Sequence, residues 1–234
     1  MKQVKIFNSA ALNNLFDDAR FGSWISFPEL ESWVYEYHLH CGSELTDSDK
    51  LAIRLMKGNV KPFVEEVLPS YQLARKLGFE TREFCFPNDS LPRDLIVRNP
   101  LDVSDLKAVE VTYVGHDYDD ALRMELLTKE GSAPAFGPIS RDKKTGTIIA
   151  KGRARMVSSA IEKRVAQIHS SIVSKEKRGY DKGMWLLVAC DAYDFPSNEN
   201  LDSLVSQIKF PVTDFERIFV LLYGTKGRYL WKMM

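Results

Sequence analysis

Apolar positions along the chain change period several times, and each change marks an element. Over residues 8–21, Ala11, Leu12, Leu15, Phe16 and Ala19 recur at helical spacing, with Ser9 placed to cap the first turn. The stretch before them, residues 1–7, reads as a short strand. Residues 28–37 form a second helical pattern with Pro28 in its first turn. Thr46 opens a third, which carries Leu51, Ile53, Leu55 and Met56 and stops near Gly58. Residues 60–77 predict another helix, with Phe63, Val64, Val67 and Leu68 beside Glu65 and Glu66, a bend at Pro69 and a stop at Gly78.

From there the period shortens. Residues 81–86 predict a strand, and Pro87, Asn88, Asp89 and Ser90 a turn that sends the chain back. Two β-branched runs follow, within residues 91–97 and 105–113, parted by a polar break at Arg98, Asn99 and Pro100, and they read as two short strands with a loop between. Residues 121–127 fit a short helix or a strand, and 131–138 a loop. Ile139 and the run Thr147, Ile148, Ile149 flank Arg-Asp-Lys-Lys-Thr-Gly, which predicts a hairpin with a basic tip. The longest helical pattern spans residues 156–177. Val157, Ile161, Val165, Ile168 and Ile172 make its apolar face, and Glu162, Lys163, Ser170, Ser171, Ser174 and Lys175 its polar one. Unbroken apolar runs at 184–190 and 215–223 predict strands covered on both faces, with a helix at 201–208 between them and a last strand at 229–231. Strands alternating with helices in this way are an α/β pattern.

Charge sharpens the picture locally. The formal net charge over 234 residues is zero, so nothing global points to a polyanion. Residues 141–178, however, hold eleven Lys or Arg against three Asp or Glu, whereas residues 1–140 hold fifteen against twenty-two. A basic segment on an otherwise acidic chain points towards nucleic acid, and a solvated helix face is the plainer explanation. Cys41, Cys85 and Cys190 have neither metal-type spacing nor a disulfide pattern. No apolar run suits a signal peptide or a membrane span, so a reducing, cytoplasmic setting is expected. His38, His40 and Cys41 lack a second ligand pair at zinc-site spacing and read as a helix end, and His116 with Asp117, Asp119 and Asp120 reads as a turn-rich loop. Neither a Gly-rich phosphate loop nor a Gly-x-Ser-x-Gly elbow is present.

The candidate chemistry lies in the two β-branched runs. Each carries one acid: Asp94 at the mouth of the first and Glu110 inside the second. An acid within a valine-rich strand is costly to bury unless it meets a partner charge or a cation. Alternation puts Ala108, Glu110 and Thr112 on one face and Val109, Val111 and Tyr113 on the other, so neighbouring strands would bring Asp94 and Glu110 to one spot. Two hard oxygen ligands there suit Mg²⁺ or Mn²⁺. The blander expectations are a salt bridge from Glu110 to Arg93, Lys107 or Arg123, and a turn or capping role for Asp94.

A helix with acids, a strand with Asp94, a strand with Glu110, a long helix and a buried strand form an order that resembles the PD-(D/E)xK, or restriction-endonuclease-like, nuclease superfamily. The resemblance covers residues from about 60 to 190. In that family one acid closes a strand, Glu-x-Lys follows on the next, and a preceding helix often adds a Glu. Pro92-Arg93-Asp94 matches the first motif, Glu110-Val111-Thr112 the second, and Glu66 or Glu65 the helix acid. Residues 168–180, followed by Leu186-Leu187-Val188, are similar to the helix and strand that close such cores. Two departures stand out: an Arg inserted before Asp94, and Thr112 where the family has lysine.

The resemblance implies a mixed central sheet flanked by helices over residues 60–234, preceded by a helical N-terminal section over residues 1–59. It implies Mg²⁺ (or Mn²⁺) held by Asp94, Glu110, the Val111 carbonyl and Glu66. The missing lysine would have to be replaced from the long helix by Lys163, Arg164 or Lys175, and Asp94, Glu110, Thr112 and Lys175 form the expected catalytic set. Lys107 lies an odd number of positions from Glu110 and is expected to face away. Lys143, Lys144, Lys151, Arg153, Arg155, Lys163 and Arg164 would grip phosphates of DNA in a salt-dependent way. The function implied is hydrolysis of DNA phosphodiester bonds. The alternative, favoured by Thr112, is a nuclease-like fold without catalysis that binds protein or nucleic acid.

Overall fold

Residues 7–41, 45–89, 91–115, 118–134, 137–152, 156–192, 195, 197–223 and 229–234 are described by the computed structural model of the chain. In chain order the strands are β1 (Trp24–Ser26), β2 (Glu83–Cys85), β3 (Leu95–Asn99), β4 (Asp102–Val114), β5 (Ile139–Arg141), β6 (Ile148–Ala150), β7 (Trp185–Asp191), β8 (Arg217–Tyr223) and β9 (Tyr229–Met233). Seven of them form one mixed sheet in the order β1-β2-β3-β4-β7-β8-β9, and β5 and β6 make a separate hairpin. β1 to β4 run antiparallel in succession, β4, β7 and β8 are parallel, and β9 returns antiparallel at the far edge. The helices are α1 (Ala10–Leu15), α2 (Phe27–Cys41), α3 (Asp47–Arg54), α4 (Val60–Pro62), α5 (Leu68–Leu77), α6 (Tyr118–Glu130), α7 (Val157–Glu176) and α8 (Asn198–Gln207). The fold is mixed α/β.

Alternation along the parallel strands divides the interior into two cores. Val109, Val111, Leu187, Ala189, Phe219 and Leu221 face one way, against Phe63, Val67 and Leu73 and the N-terminal Leu12, Leu30 and Trp33. Leu186, Val188, Ile218, Val220 and Leu222 face the other way, against Ile161, Ile168 and Ile172 of α7 and Leu201 and Leu204 of α8. β7 is covered on both faces, which accounts for its unbroken apolar run.

The N-terminal helices belong to the first of these cores. Phe63 meets Trp33 at 5.2 Å and Phe16 at 5.5 Å between ring centroids, and the Trp33 indole N–H donates to the Leu15 carbonyl at 2.8 Å. This section also adds the edge strand β1, paired with β2. At three residues, Trp-Ile-Ser is too short to show a period of its own.

Other expectations shift at their boundaries. β4 begins at Asp102 because β3 turns directly into it, so much of the expected loop is strand. Residues 121–127 lie in a helix, α6. The expected bend at Pro69 takes the form of a π-helical turn just before it, Phe63–Val67, which joins α4 to α5. Proline has no N–H for the carbonyl four residues back and its ring crowds that carbonyl. The ladder widens accordingly, and the Leu68 N–H donates to Phe63, five residues back. The strand expected at residues 1–7 lies almost wholly outside the described residues.

Phe63 is fully buried where the N-terminal helices meet the sheet. Phe63→Ala should therefore cost about 3–5 kcal/mol of unfolding free energy. Urea denaturation followed by tryptophan fluorescence would check this, and a loss under 1 kcal/mol would contradict a shared core.

Candidate active site

The strand pairing between β3 and β4 breaks at Asp94, and the break builds the site. The last regular pair is Leu95 with Val109. Beyond it the Asp94 N–H donates to the Val109 carbonyl at 3.0 Å, and the Asp94 Oδ2 accepts from the Val111 N–H at 2.8 Å. A carboxylate thus stands where a backbone carbonyl would continue the ladder. One more step of the register sets Asp94 opposite Glu110, and the two acids lie within electrostatic reach of each other. A strand residue's C=O and N–H lie on the same edge, so the Val111 carbonyl faces the same side as the N–H held by Asp94.

Glu110 projects from the other face of β4 towards α7 and is 4% exposed. Its Oε1 receives two donors: the Lys175 ammonium, in an ion pair, and the Tyr180 hydroxyl at 2.9 Å. Both donors sit on one oxygen, Oε1. The polar face expected for Lys175 is incorrect: it follows Ile168 and Ile172 at helical spacing and points into the sheet. None of the salt bridges expected for Glu110 forms. Arg93 pairs with Asp89, Lys107 with Glu216, and Arg123 with Asp120 and the Gly137 carbonyl.

Glu66, in the π-helical turn, is the third acid. Its carboxyl is pushed up to about 8, first by burial and then by the negative charges of Asp94, Glu65 and Glu110, against a lowering by Lys175. Asp94 is raised to about 6, again mainly by burial and then by Glu110, while the Val111 N–H and Lys175 pull it down. Tyr180 is pushed up to about 12 by burial and the Glu110 charge, so it stays a donor. Three acids thus lie within electrostatic reach of one another and of Lys175, and burial first, then their mutual repulsion, raises Glu66 and Asp94. A divalent cation would offset that repulsion, and the oxygen-only donor set fits Mg²⁺ or Mn²⁺. Among the described residues no three His, Cys, Asp or Glu side chains form a ready-made metal cage. The set available is Asp94, Glu110 and the Val111 carbonyl, with Glu66 in electrostatic reach.

The remaining expected residues are dispersed. Thr112 lies two positions beyond Glu110 on the same face, in register with Val188 of β7. Lys163 is exposed, and the Arg164 guanidinium sits 3.8 Å from the Cys190 sulfur. Eleven residues of helix, about 16 Å, separate Arg164 from Lys175, so neither Lys163 nor Arg164 can take the lysine's place. Lys143, Lys144 and Lys151 are exposed on the β5–β6 hairpin, which Arg141 ties to Glu125 of α6. Arg153 and Arg155, like His116 and Asp117, lie outside the described residues. Tyr180 was not anticipated; only its place just past the glycine that ends α7 pointed to it.

No protein-family profile, curated protein or solved structure matches the chain. Among the described residues no helix is long and apolar enough to cross a membrane.

Both raised carboxyls hold protons in the folded chain that the unfolded chain releases. Their stabilising contribution is complete below about pH 4 and is lost as pH climbs through 6 and then 8. With metal chelated, the urea midpoint should fall between pH 5 and pH 8, and Glu66→Gln should flatten that fall. Equal slopes for parent and variant would show that Glu66 does not hold its proton.

Proposed function

We propose that the chain is a metal-dependent nuclease of the PD-(D/E)xK kind, acting on phosphodiester bonds of DNA. The observation that carries the reading is Lys175. It reaches Glu110 from α7 and supplies, from another element, the cation that Thr112 fails to supply at the motif position. The antiparallel β3–β4 pair, the α7 crossover and the parallel β7 also agree with the order of elements in that family.

Asp94, Glu110 Oε2 and the Val111 carbonyl would hold the ion. Bound there, Mg²⁺ or Mn²⁺ supplies a water of lowered pKa and offsets charge on the phosphodiester in the transition state. The chain's own groups do the rest. Tyr180 and Lys175 fix Glu110 through one oxygen and free the other. Lys175 sets positive charge beside the reacting phosphate. Glu66, protonated near neutral pH, adds no further negative charge to the site. The exposed Lys143, Lys144 and Lys151 offer sequence-blind contacts to flanking phosphates.

One observation favours the second reading, a nuclease-like fold that binds protein or nucleic acid without cutting. The direct ion pair with Lys175 already neutralises Glu110.

Calorimetric titration with Mn²⁺ should show binding to the parent and none to the Asp94→Ala, Glu110→Ala double variant. Plasmid incubated with Mn²⁺ should be nicked by the parent alone; metal uptake with intact plasmid would select the binding module, and no uptake would remove the metal site. Lys175→Met should keep Mn²⁺ binding and the circular dichroism of the parent while lowering cleavage on the order of 10²-fold or more. Undiminished cleavage would show that Lys175 only balances charge.

A further inference from the structure

On the face of the sheet opposite Glu110 lies a cavity of about 630 Å³, at the C-terminal ends of β4, β7 and β8 and walled by α2, α3, α5 and α6. Tyr113 lines it and lies an odd number of positions from Glu110 on β4, so the two point to opposite faces and the cavity stands apart from the acid cluster. Its volume is that of a small-molecule site, roughly 300–1,000 Å³. The ends of parallel strands are where open α/β sheets place their ligands.

The charges of the lining are already matched. Lys61 pairs with Glu65 at 3.9 Å, and Asp120 with Arg123 at 3.4 Å. Asp191 accepts from the Tyr113 hydroxyl at 2.7 Å, and Arg54 donates to the Thr128 hydroxyl at 2.8 Å. Burial holds the His38 imidazole below its ordinary value and the Cys41 thiol above its own, so both stay uncharged near neutral pH. A charged ligand would give up its water here without gaining a counter-charge. The rest of the wall is apolar: Ile53, Leu55, Val64 and Leu68, with the thioethers of Met56 and Met124 beside the rings of Tyr37 and Tyr223. Thioether sulfur packs favourably against aromatic rings, and the unbranched side chain adapts to the shape it meets.

Met56 is a separate sign of use. It is the only non-glycine residue with a positive φ among the described residues, at 49°. It stands just past the end of α3, where the Lys57 N–H donates to the Ala52 carbonyl at 3.0 Å and the Met56 N–H to the Ile53 carbonyl at 2.9 Å. Helix ends of this form favour glycine, because a Cβ is crowded in the left-handed region. Methionine costs stability at this position, and what it adds is a side chain on the cavity wall.

We propose that the cavity binds an uncharged, largely apolar small molecule carrying an aromatic ring, held by Met56, Met124 and the tyrosines. Two matched dyes test this on the full chain: N-phenyl-1-naphthylamine, which is neutral, and 8-anilinonaphthalene-1-sulfonate, which has the same rings with a negative charge. The neutral dye should brighten and saturate, and should bind on the order of tenfold tighter or more than the sulfonate. Ala121 is exposed on α6 at the wall, so Ala121→Trp fills the cavity while sparing the core, and it should weaken the neutral dye on the order of tenfold. Met56→Gly should weaken it roughly fivefold or more while the thermal unfolding midpoint holds or rises, because glycine relieves the backbone. No saturable brightening, equal affinity for the two dyes, or undiminished binding of the neutral dye by both variants would overturn the site. A midpoint that falls in Met56→Gly would overturn the role given to Met56, since the methionine would then serve the core.

Discussion

The ion pair between Lys175 and Glu110 sets how α7 docks on the centre of the sheet. Glu110 lies in the middle of the sheet, beside the apolar β7 on one side and opposite Asp94 on the other. A carboxylate there loses its water, and only a close cation with a further hydrogen bond makes that tolerable. Lys175 and Tyr180 meet the need from the end of α7 and the segment after it. That requirement fixes the rotation of α7 about its axis, because the lysine must continue the stripe of Ile168 and Ile172. It also ties the β4–α7–β7 crossover, the central connection of the fold, to the charge of a single strand residue.

A buried pair of this kind gives little net stability, since desolvation takes back much of the Coulomb attraction. Its presence amid valine and leucine is therefore poorly explained by stability alone. Burial and mutual repulsion raise Asp94 to about 6 and Glu66 to about 8, so Glu66 keeps its proton at neutral pH. Perturbed carboxyls gathered in this way are a feature that functional sites share with structural ion-pair networks.

Much of this was legible in the sequence. Periodicity alone gave the long helix, the doubly buried strands and the basic hairpin, because their apolar patterns are long or unbroken. The placing of Asp94 opposite Glu110 followed from strand alternation plus an assumption that the two runs pair. What stayed hidden depended on contacts distant in sequence. Lys175 sits beside Ser174 and Glu176 and looks polar from its neighbours; only the docking of α7 shows which way it points. Tyr180 carries no periodic signal, since it follows the helix. β1 is three residues long, and the π-helical turn answers to Pro69 without any distinctive composition of its own. The charge segment was visible, but its division between the β5–β6 hairpin and α7 needed the fold.

Val111 does two jobs with two parts of one residue. Its isopropyl group fills the core while its main-chain atoms line the notch where β3 stops short. A carbonyl oxygen is present whatever side chain the position bears, so this part of the site is immune to point substitution. Its exposure depends instead on β3 beginning no earlier than Leu95, and Pro92 discourages an earlier start because it brings no amide hydrogen to a growing ladder. A chain that extended this strand by two residues would seal the notch with every acid still in place. The length of one short strand, rather than the identity of any other side chain, leaves the Val111 amide to the Asp94 carboxylate.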